Sequence, residues 1–129
     1  MTFYPIDNER GLLEQKRLLP IIKEYFKKDI VEIENKLSTF DYMCDSCVYE
    51  LKTRTNELNK YPTTLIGTNK LISDKEIYLI FKFTDCLTYI KYDRDLFSSF
   101  EIKKFNRNTK SLIKQDYIYI PIKHLIKIN

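Results

Sequence analysis

The chain has few of the residue types on which several well-known functional sites depend. Its 129 residues include two glycines, three cysteines, one histidine and no tryptophan. The glycines, Gly11 and Gly67, lie far apart, which excludes a glycine-rich loop that cradles phosphate. The odd number of cysteines argues against a disulfide framework. The search for a functional site therefore turns to carboxylates and lysines.

A zinc site is the remaining use for the cysteines and the histidine. Cys44-x-x-Cys47, Cys86 and His124 include the ligand types of a Cys₃His site. The second closely spaced cysteine pair of a zinc ribbon is missing, and free cysteine commonly behaves as a small hydrophobe. We therefore expect Cys44 and Cys47 to pack on an apolar face.

Long apolar runs are absent as well. No run approaches the roughly 20 residues of a membrane span, and the N-terminus lacks a secretory signal pattern, so we expect an intracellular, cytoplasmic protein with no membrane partner. A hydrophobic fraction of 43% and a charged fraction of 31% are typical of a globular protein, and the length predicts a single domain over residues 1–129. The net charge of +4 permits a phosphate-rich partner.

The stretch from Phe40 to Lys52 predicts a β-hairpin with Asp45-Ser46 as its two-residue turn. That turn sets the register: Cys44 faces Cys47, Met43 faces Val48, Tyr42 faces Tyr49 and Asp41 faces Glu50. Since side chains alternate between faces, one face is almost wholly apolar and should lie on a core: Phe40, Tyr42, Cys44, Cys47, Tyr49 and Leu51. The other face carries Asp41, Met43, Val48, Glu50 and Lys52.

Two carboxylates directly opposite each other on paired strands repel, which costs roughly a few tenths of a kcal/mol or more. A cation shared between Asp41 and Glu50 would remove that cost. Mg²⁺ typically takes one or two carboxylates, keeps several waters and binds substrate phosphate. The alternative is a solvated hairpin whose charges face water, and the hairpin alone leaves both interpretations open.

Asp41, followed by Glu50-Leu51-Lys52 on the next strand, resembles the PD-(D/E)XK nuclease superfamily, although Phe40 stands where a proline usually precedes the first acid. The run from Tyr49 to Arg54, with Tyr61-Pro62-Thr63-Thr64 after it, is similar to small nuclease-like proteins of large DNA viruses and phages. This closer likeness covers about Glu14 to Tyr92. A viral source would place the protein in the host cell or the virion.

The resemblance implies a restriction-endonuclease-like α/β fold, in which helices flank a mixed central β-sheet. It also implies a magnesium-dependent endonuclease that hydrolyses phosphodiester bonds in DNA, with Mn²⁺ as the other ion expected to serve. Asp41 and Glu50 would hold the metal, with the Leu51 carbonyl as a third ligand. Lys52, beside two carboxylates, would orient water and stabilise phosphorane charge rather than act as a free base. Cutting both strands favours a homodimer.

One alternative function comes from a different class. A nuclease-like domain of the same fold would bind DNA or a protein partner without cutting it. The intact set of two acids and a lysine argues against this alternative, because a domain that only binds does not need that set.

Glu14 is the further acid that the resemblance implies. In the resembling nucleases an acid on the inward face of the leading helix supports metal binding, and Glu14 lies on much the same face as Leu18. Glu9 competes for this role. The alternative is that Glu14 pairs with Arg17 or with lysine residues at the surface.

The other segments are predicted from their periodicity and their turn residues. We expect a helix over 8–28 with Asp7 as its N-cap, kinked or divided at Pro20. We expect strands over 29–34, 76–84, 87–92, 100–105 and 117–122, a helix starting near Pro62, and a loop or short helix over 93–97. The near-continuous apolar run from Ile77 to Phe81 predicts burial on both faces.

Contacts to the DNA backbone are expected from hydroxyl, guanidinium and ammonium groups, which are ordinary phosphate ligands. One set follows the Glu-x-Lys element, and the other lies in the most basic part of the chain: Arg54, Thr63, Thr64 and Lys70, then Lys103, Lys104 and Arg107. Each set has a plain alternative, which is a capped helix with one surface lysine for the first and a solvated basic face for the second.

Overall fold

A computed structural model describes the backbone of residues 3–35, 37–105 and 115–129, and the side chains of residues 11–35, 37–104 and 116–129. Helix α1 spans Phe3–Phe26 and helix α2 spans Arg94–Phe97. The strands are β1 (Val31–Glu32), β2 (Tyr42–Met43), β3 (Cys47–Thr53), β4 (Thr63–Gly67), β5 (Glu76–Lys82), β6 (Leu87–Lys91), β7 (Glu101–Phe105), β8 (Gln115–Pro121) and β9 (Ile126–Lys127). No helix in these ranges is long and apolar enough to cross a membrane.

The strands form a larger sheet in the order β1-β2-β3-β5-β6-β9 and a smaller sheet in the order β4-β8-β7. In the larger sheet β3 and β5 run parallel, in register from Cys47↔Glu76 to Thr53↔Lys82, and the other neighbours are antiparallel. The larger sheet is therefore mixed, which confirms the coarse α/β class expected from the sequence.

The larger sheet is covered on both faces, by different kinds of element. Helix α1 packs on one face, where Leu18 and Ile22 join a buried cluster with Tyr49. The smaller sheet packs on the other face, where Ile66 and Ile118 belong to a second buried cluster. The expectation of flanking helices therefore holds for the α1 face, whereas strands take their place on the opposite face.

The residues of β5 lie between these two layers. Ile77, Leu79 and Phe81 belong to the cluster under the smaller sheet, whereas Ile80 belongs to the cluster under α1. All four side chains are buried. The predicted burial of this run on both faces is confirmed.

The prediction of a helix starting near Pro62 is wrong. The segment forms β4, and a single 3₁₀ turn over Thr68–Lys70 follows it. Thr64 and Ile66 are buried whereas Thr63 and Leu65 are half-buried, which is the period of two of a strand. Since β-branched residues favour extended backbone, and β4 pairs along its length with β8, sheet pairing overrides the helix signal of the proline.

The ends of α1 also differ from the prediction. The helix begins at Phe3, so Asp7 lies inside it and is not its N-cap, and the helix continues through Pro20 without being divided. It ends at Phe26 because Lys27 adopts a left-handed backbone conformation, with φ of 53°, which commonly stops a helix. The strand predicted over 29–34 is only two residues long.

The hairpin register is confirmed from Tyr42 to Val48, whereas the predicted pair of Asp41 with Glu50 is not part of the ladder, because β2 is only Tyr42–Met43. Tyr42 pairs with Tyr49 and Met43 with Val48, and the Cys44 N–H donates to the Cys47 carbonyl at 2.9 Å. The apolar face lies under α1 as expected: Tyr42, Cys44, Cys47 and Tyr49 are buried there, with Leu51 at the edge. Phe40 is the exception, because it joins the cluster under the smaller sheet.

The later elements follow the sequence closely. Strands β5, β6 and β7 and helix α2 fall within the ranges predicted for them. Pro121 is the last residue of β8, a position that suits a residue without an N–H to donate to the sheet. The strand over 117–122 is expected to be the last one, whereas β9 follows it and pairs with β6.

Arg54 joins the two sheets directly after β3. Its Nε donates to Thr64 Oγ1 at 3.0 Å and one Nη donates to the Leu65 carbonyl. The guanidinium also lies over the Phe81 ring, 5.4 Å from the ring centroid. Thr64 is only 5% exposed, so both residues serve contacts within the protein at positions where the sequence predicts DNA contacts.

Replacing Arg54 with alanine should lower the free energy of unfolding by about 1–3 kcal/mol, because the buried Thr64 hydroxyl and the Leu65 carbonyl lose their donor. Urea denaturation measures this change. The matched control is Lys104→Ala, which removes an exposed cation from β7 and should change stability by less than about 0.5 kcal/mol. Equal stability of the two variants would contradict the role of Arg54 as the connection between the sheets.

Candidate functional site

A cleft of about 810 Å³ lies beside the part of β3 that extends beyond β2. The β2 ladder ends at the pair Tyr42↔Tyr49, whereas β3 continues to Thr53. The edge of β3 is left open there, and α1 and the segments before β2 form the other walls. The lining includes Leu12, Gln15 and Lys16 of α1, Glu32 to Asn35, Ser38 to Asp41, Glu50 to Thr53 and Lys70.

Asp41 is fixed at this edge by hydrogen bonds on both sides. Its Oδ2 accepts from the Leu51 backbone N–H at 2.7 Å, and its own N–H donates to the Tyr49 carbonyl at 2.9 Å. Its carbonyl accepts from the Ile33 N–H at 2.8 Å and from Gln15 Nε2 at 3.4 Å. These contacts hold the Asp41 carboxylate against β3, in the same cleft as Glu50.

Glu50 is the most deeply buried acid of the cleft, with 3% of its surface exposed. Burial raises its pKa to about 8, with a further rise from the hydrogen bond to Asp41 and from the negative charge of Asp41. Lys70 and Lys52 oppose this rise. The surroundings of Glu50 thus favour its protonated form over its carboxylate at neutral pH, and a cation bound beside it would reverse this preference.

One oxygen of Glu50 lacks a well-aligned donor. Lys70 Nζ lies 2.8 Å from Glu50 Oε2, yet no donor among the described residues makes a hydrogen bond of ordinary geometry to this buried oxygen. The Lys70 ammonium donates instead to the Thr39 carbonyl at 3.2 Å. A buried acceptor of this kind needs explanation, and a bound cation is one.

The residues that the resemblance assigns to the metal and to catalysis line this cleft together. They are Asp41, Glu50, Leu51 and Lys52. Lys52 is half-buried one step beyond Leu51, and its positive charge acts on the Glu50 carboxyl group. Two carboxylates and a backbone carbonyl are the oxygen ligands that Mg²⁺ prefers, so the donor set fits a hard divalent cation.

Glu14 is not brought to the cleft. Its two carboxylate oxygens accept from Arg17 at 2.6 and 3.0 Å, and these hydrogen bonds hold the pKa of Glu14 below its usual value. Gln15, which is 9% exposed, lines the cleft in its place. The side chain of Glu9 lies outside the described residues.

The position of Gln15 has a signal in the sequence. Gln15 precedes the buried Leu18 by three residues and Ile22 by seven, so all three lie on one face of α1. Glu14 also lies about one turn from Leu18, so the sequence pattern does not distinguish Glu14 from Gln15. The rotation of α1 about its own axis determines which of the two side chains faces the cleft.

The contact of Lys70 with Glu50 is not predicted by local sequence patterns. The sequence predicts it as a phosphate ligand beside a helix, whereas the structure places it on the 3₁₀ turn after β4, against Glu50. Twenty residues separate the two along the chain, and only the packing of the smaller sheet on the larger one brings them together.

The other expected DNA contacts lie apart from the cleft lining. Lys103 and Lys104 are exposed on β7, where Lys103 pairs with Glu101 at 3.0 Å. Thr63 is half-buried on β4. Arg107 lies outside the described residues. The described basic residues of the second set therefore belong to another surface of the protein.

The residues considered for zinc are separated in the fold. Cys44 and Cys47 are buried under α1 as expected, and the His124 ring packs against Phe100 with 5.3 Å between ring centroids. No group of three or more histidine, cysteine, aspartate or glutamate side chains within the described ranges is arranged to hold a metal. The Asp41–Glu50 site thus offers two carboxylates, and its further ligands must be backbone oxygens or water.

Replacing Glu50 with glutamine should stabilise the protein more at high pH than at low pH. Because the pKa of Glu50 rises from 4.5 to about 8 on folding, its contribution to stability is full below about pH 4.5 and is lost as the pH rises toward 8. Chemical denaturation in excess chelator at pH 5 and pH 8.5 should show the variant gaining a few kcal/mol relative to the wild type.

The control for this prediction is Glu76→Gln. The hydrogen bond and ion pair with Lys91 lower the pKa of the exposed Glu76, so folding favours its ionised form. Glu76→Gln should therefore gain no stability relative to the wild type when the pH is raised. A Glu50→Gln variant whose stability relative to the wild type does not change between pH 5 and pH 8.5 would contradict the burial of a strained carboxylate.

Comparison of the chain with models of known protein families, with curated proteins and with solved structures gives no match. The functional argument therefore depends on the residues of the cleft.

Proposed function

We propose that the protein is a metal-dependent DNA endonuclease that hydrolyses phosphodiester bonds, with Asp41, Glu50 and Lys52 as its catalytic residues. The observation that carries the proposal is the meeting of two carboxylates and an ammonium in one cleft, beside a buried oxygen that lacks an aligned donor. A restriction-endonuclease-like fold is part of the proposal, and the mixed sheet, with Asp41 directly before β2 and Glu-x-Lys on the neighbouring β3, supports it.

The metal ligands in this proposal are the Asp41 and Glu50 carboxylates and the Leu51 carbonyl, with Mg²⁺ or Mn²⁺ as the ion. When bound, such an ion polarises a phosphoryl oxygen and makes a water molecule more acidic. The protein holds the ligands ready for it: the Leu51 N–H orients the Asp41 carboxylate, and Gln15 and Ile33 hold the Asp41 backbone.

Lys52 has a separate role in this proposal. Its ammonium lies on the cleft side of β3, where it orients the attacking water and stabilises negative charge on the phosphorane. Lys52 acts in this proposal through its charge and its position, and it is not the base. A proton released from water passes to solvent or to a carboxyl group of the cleft.

DNA binding and dimerisation complete the proposal. Lys16, Lys52 and Lys70 offset the acids around the cleft, and Lys103 and Lys104 add positive charge on β7. Contacts of this kind bind phosphate through charge, so affinity depends on the salt concentration. A homodimer would supply two such clefts for the two strands of a duplex.

Cleavage of DNA should require a divalent ion. Purified protein incubated with single-stranded, nicked and duplex DNA should cut with Mg²⁺ or Mn²⁺ and should not cut in excess EDTA. Asp41→Asn should lose most of the activity, because it removes one carboxylate ligand. Glu76→Gln is the matched control, since it removes an exposed carboxylate that is not part of the cleft lining. Cleavage that continues unchanged in chelator would reject the metal site.

Lys52→Ala should lower the cleavage rate by roughly 10²–10³, because one preorganised charge stabilises the transition state. Its melting temperature should stay close to the wild type, since a half-exposed charge contributes little to stability. Leu51→Ala should show the reverse, with nearly full activity per folded molecule and a lower melting temperature. The Leu51 side chain packs at the edge of the α1 cluster, so its loss leaves a gap there.

The same pair of variants tests the alternative function. If Lys52→Ala cuts DNA at the wild-type rate, the chain does not work as a PD-(D/E)XK nuclease. If the wild type binds DNA but cuts none of these substrates with either ion, a non-cutting domain that binds DNA or a protein partner becomes the better account.

A further inference from the structure

Lys70 is a charged residue beside the Glu50 carboxyl group that the Asp and Glu-x-Lys pattern does not include. Its ammonium lies 2.8 Å from Glu50 Oε2 and 3.2 Å from the Thr39 carbonyl oxygen. The side chain reaches the cleft from the 3₁₀ turn over Thr68–Lys70 and is 24% exposed. It therefore holds a positive charge against the most buried acid of the site.

We infer that the Lys70 ammonium takes the place of a divalent cation beside Glu50 and leaves this position when such a cation binds. The inference rests on the proposed metal site and deepens it, because it makes Lys70 a built-in competitor for that site. Lys70 is thus a positioning residue, which keeps Glu50 in place before the metal arrives.

The contacts of Lys70 favour a substitute cation over a fixed structural bond. The ammonium lies between two hard oxygen acceptors, a carboxylate and a backbone carbonyl, which are the ligand types of Mg²⁺ and Mn²⁺. Its approach to Glu50 Oε2 lacks the alignment of a hydrogen bond. The interaction is therefore mainly between charges, and a divalent ion can replace it with a stronger one.

The need for a substitute follows from the burial of Glu50. Leaving a buried charge without its partner is strongly destabilising, and Asp41 adds a second negative charge next to it. Lys52 offsets only part of this charge from its position further along β3. When the Glu50 carboxylate is ionised in the absence of metal, the Lys70 ammonium is therefore the second cation beside it.

The location of Lys70 allows it to leave. The turn that carries it is short, its neighbour Asn69 is exposed, and Ile72 beyond it is 76% exposed. The ammonium sits on a flexible four-carbon stem and regains water when it moves out. Lys52 has no comparable freedom, because the paired strands β3 and β5 fix its backbone.

Metal binding measured without DNA tests the inference. In calorimetric titrations with Mn²⁺, Lys70→Met should bind the ion roughly tenfold or more tightly than the wild type, because a close competing charge is gone. The matched control is Lys16→Met, which removes a lysine of the same cleft that pairs with Glu32 at 3.0 Å. This control should change the Mn²⁺ affinity by less than about threefold, because Lys16 pairs with Glu32 and not with Glu50.

A second measurement follows Lys70 in the wild-type chain, so it does not depend on the folding of a variant. Labelling with an amine-reactive ester and mass spectrometry should show that Lys70 reacts several-fold faster when Mn²⁺ or Ca²⁺ is added. Lys75 and Lys91 lie outside the cleft lining and should react at unchanged rates.

The outcomes separate this inference from the proposed function. Equal Mn²⁺ affinity of the wild type and Lys70→Met, with unchanged labelling, would overturn the inference and leave the metal site standing. A gain in affinity without a change in labelling would mean that Lys70 acts by charge alone and stays in place, which also overturns it. Failure of both proteins to bind Mn²⁺ at millimolar concentration would overturn the metal site and the inference together.

Discussion

The burial of the Glu50 carboxylate is the constraint on which the rest of the site depends. Glu50 shares its face of β3 with Val48, which belongs to the core under the smaller sheet. The fold thus puts an acid where an apolar side chain would otherwise continue the core. Burial and the negative charge of Asp41 both disfavour the carboxylate form of Glu50, so its ionisation requires a cation close to it. Lys52 and Lys70 supply part of the positive charge that favours the ionised form.

Asp41 both ends the hairpin ladder and builds the site. Beyond the pair Tyr42↔Tyr49, the edge of β3 has no strand beside it, and the Leu51 N–H would lack a partner. The Asp41 carboxylate accepts from this N–H, so the donor is satisfied by a charged side chain instead of a carbonyl. The hydrogen bond from the Leu51 N–H to the Asp41 carboxylate thus both ends the strand pairing and fixes the position of the first acid. The same replacement opens the cleft, because a continued β2 would cover the edge of β3.

The features that could be predicted from the sequence are those that depend on residues close together in the chain. A two-residue turn and strict alternation specify the hairpin register, which places Asp41 and Glu50 together. A run of apolar residues specifies the buried strand β5. What could not be predicted depends on contacts distant in the chain: the pairing of β4 with β8 overrides a proline-led helix signal, and the packing of two sheets brings Lys70 to Glu50. The choice between Glu14 and Gln15 depends on how α1 is rotated on the sheet.

The smaller sheet contributes to the site as well as to the core. β4 is held in its middle by Arg54, which reaches it from the end of β3, and the turn after β4 delivers Lys70 to Glu50. Arg54 is fixed by hydrogen bonds of defined direction and by the Phe81 ring, whereas Lys70 meets Glu50 mainly as a charge. A contact based on charge alone can be exchanged for another cation without disturbing the strand that presents it. The layer that buries Glu50 therefore also supplies the counter-charge that this burial requires, in a form that a metal ion can replace.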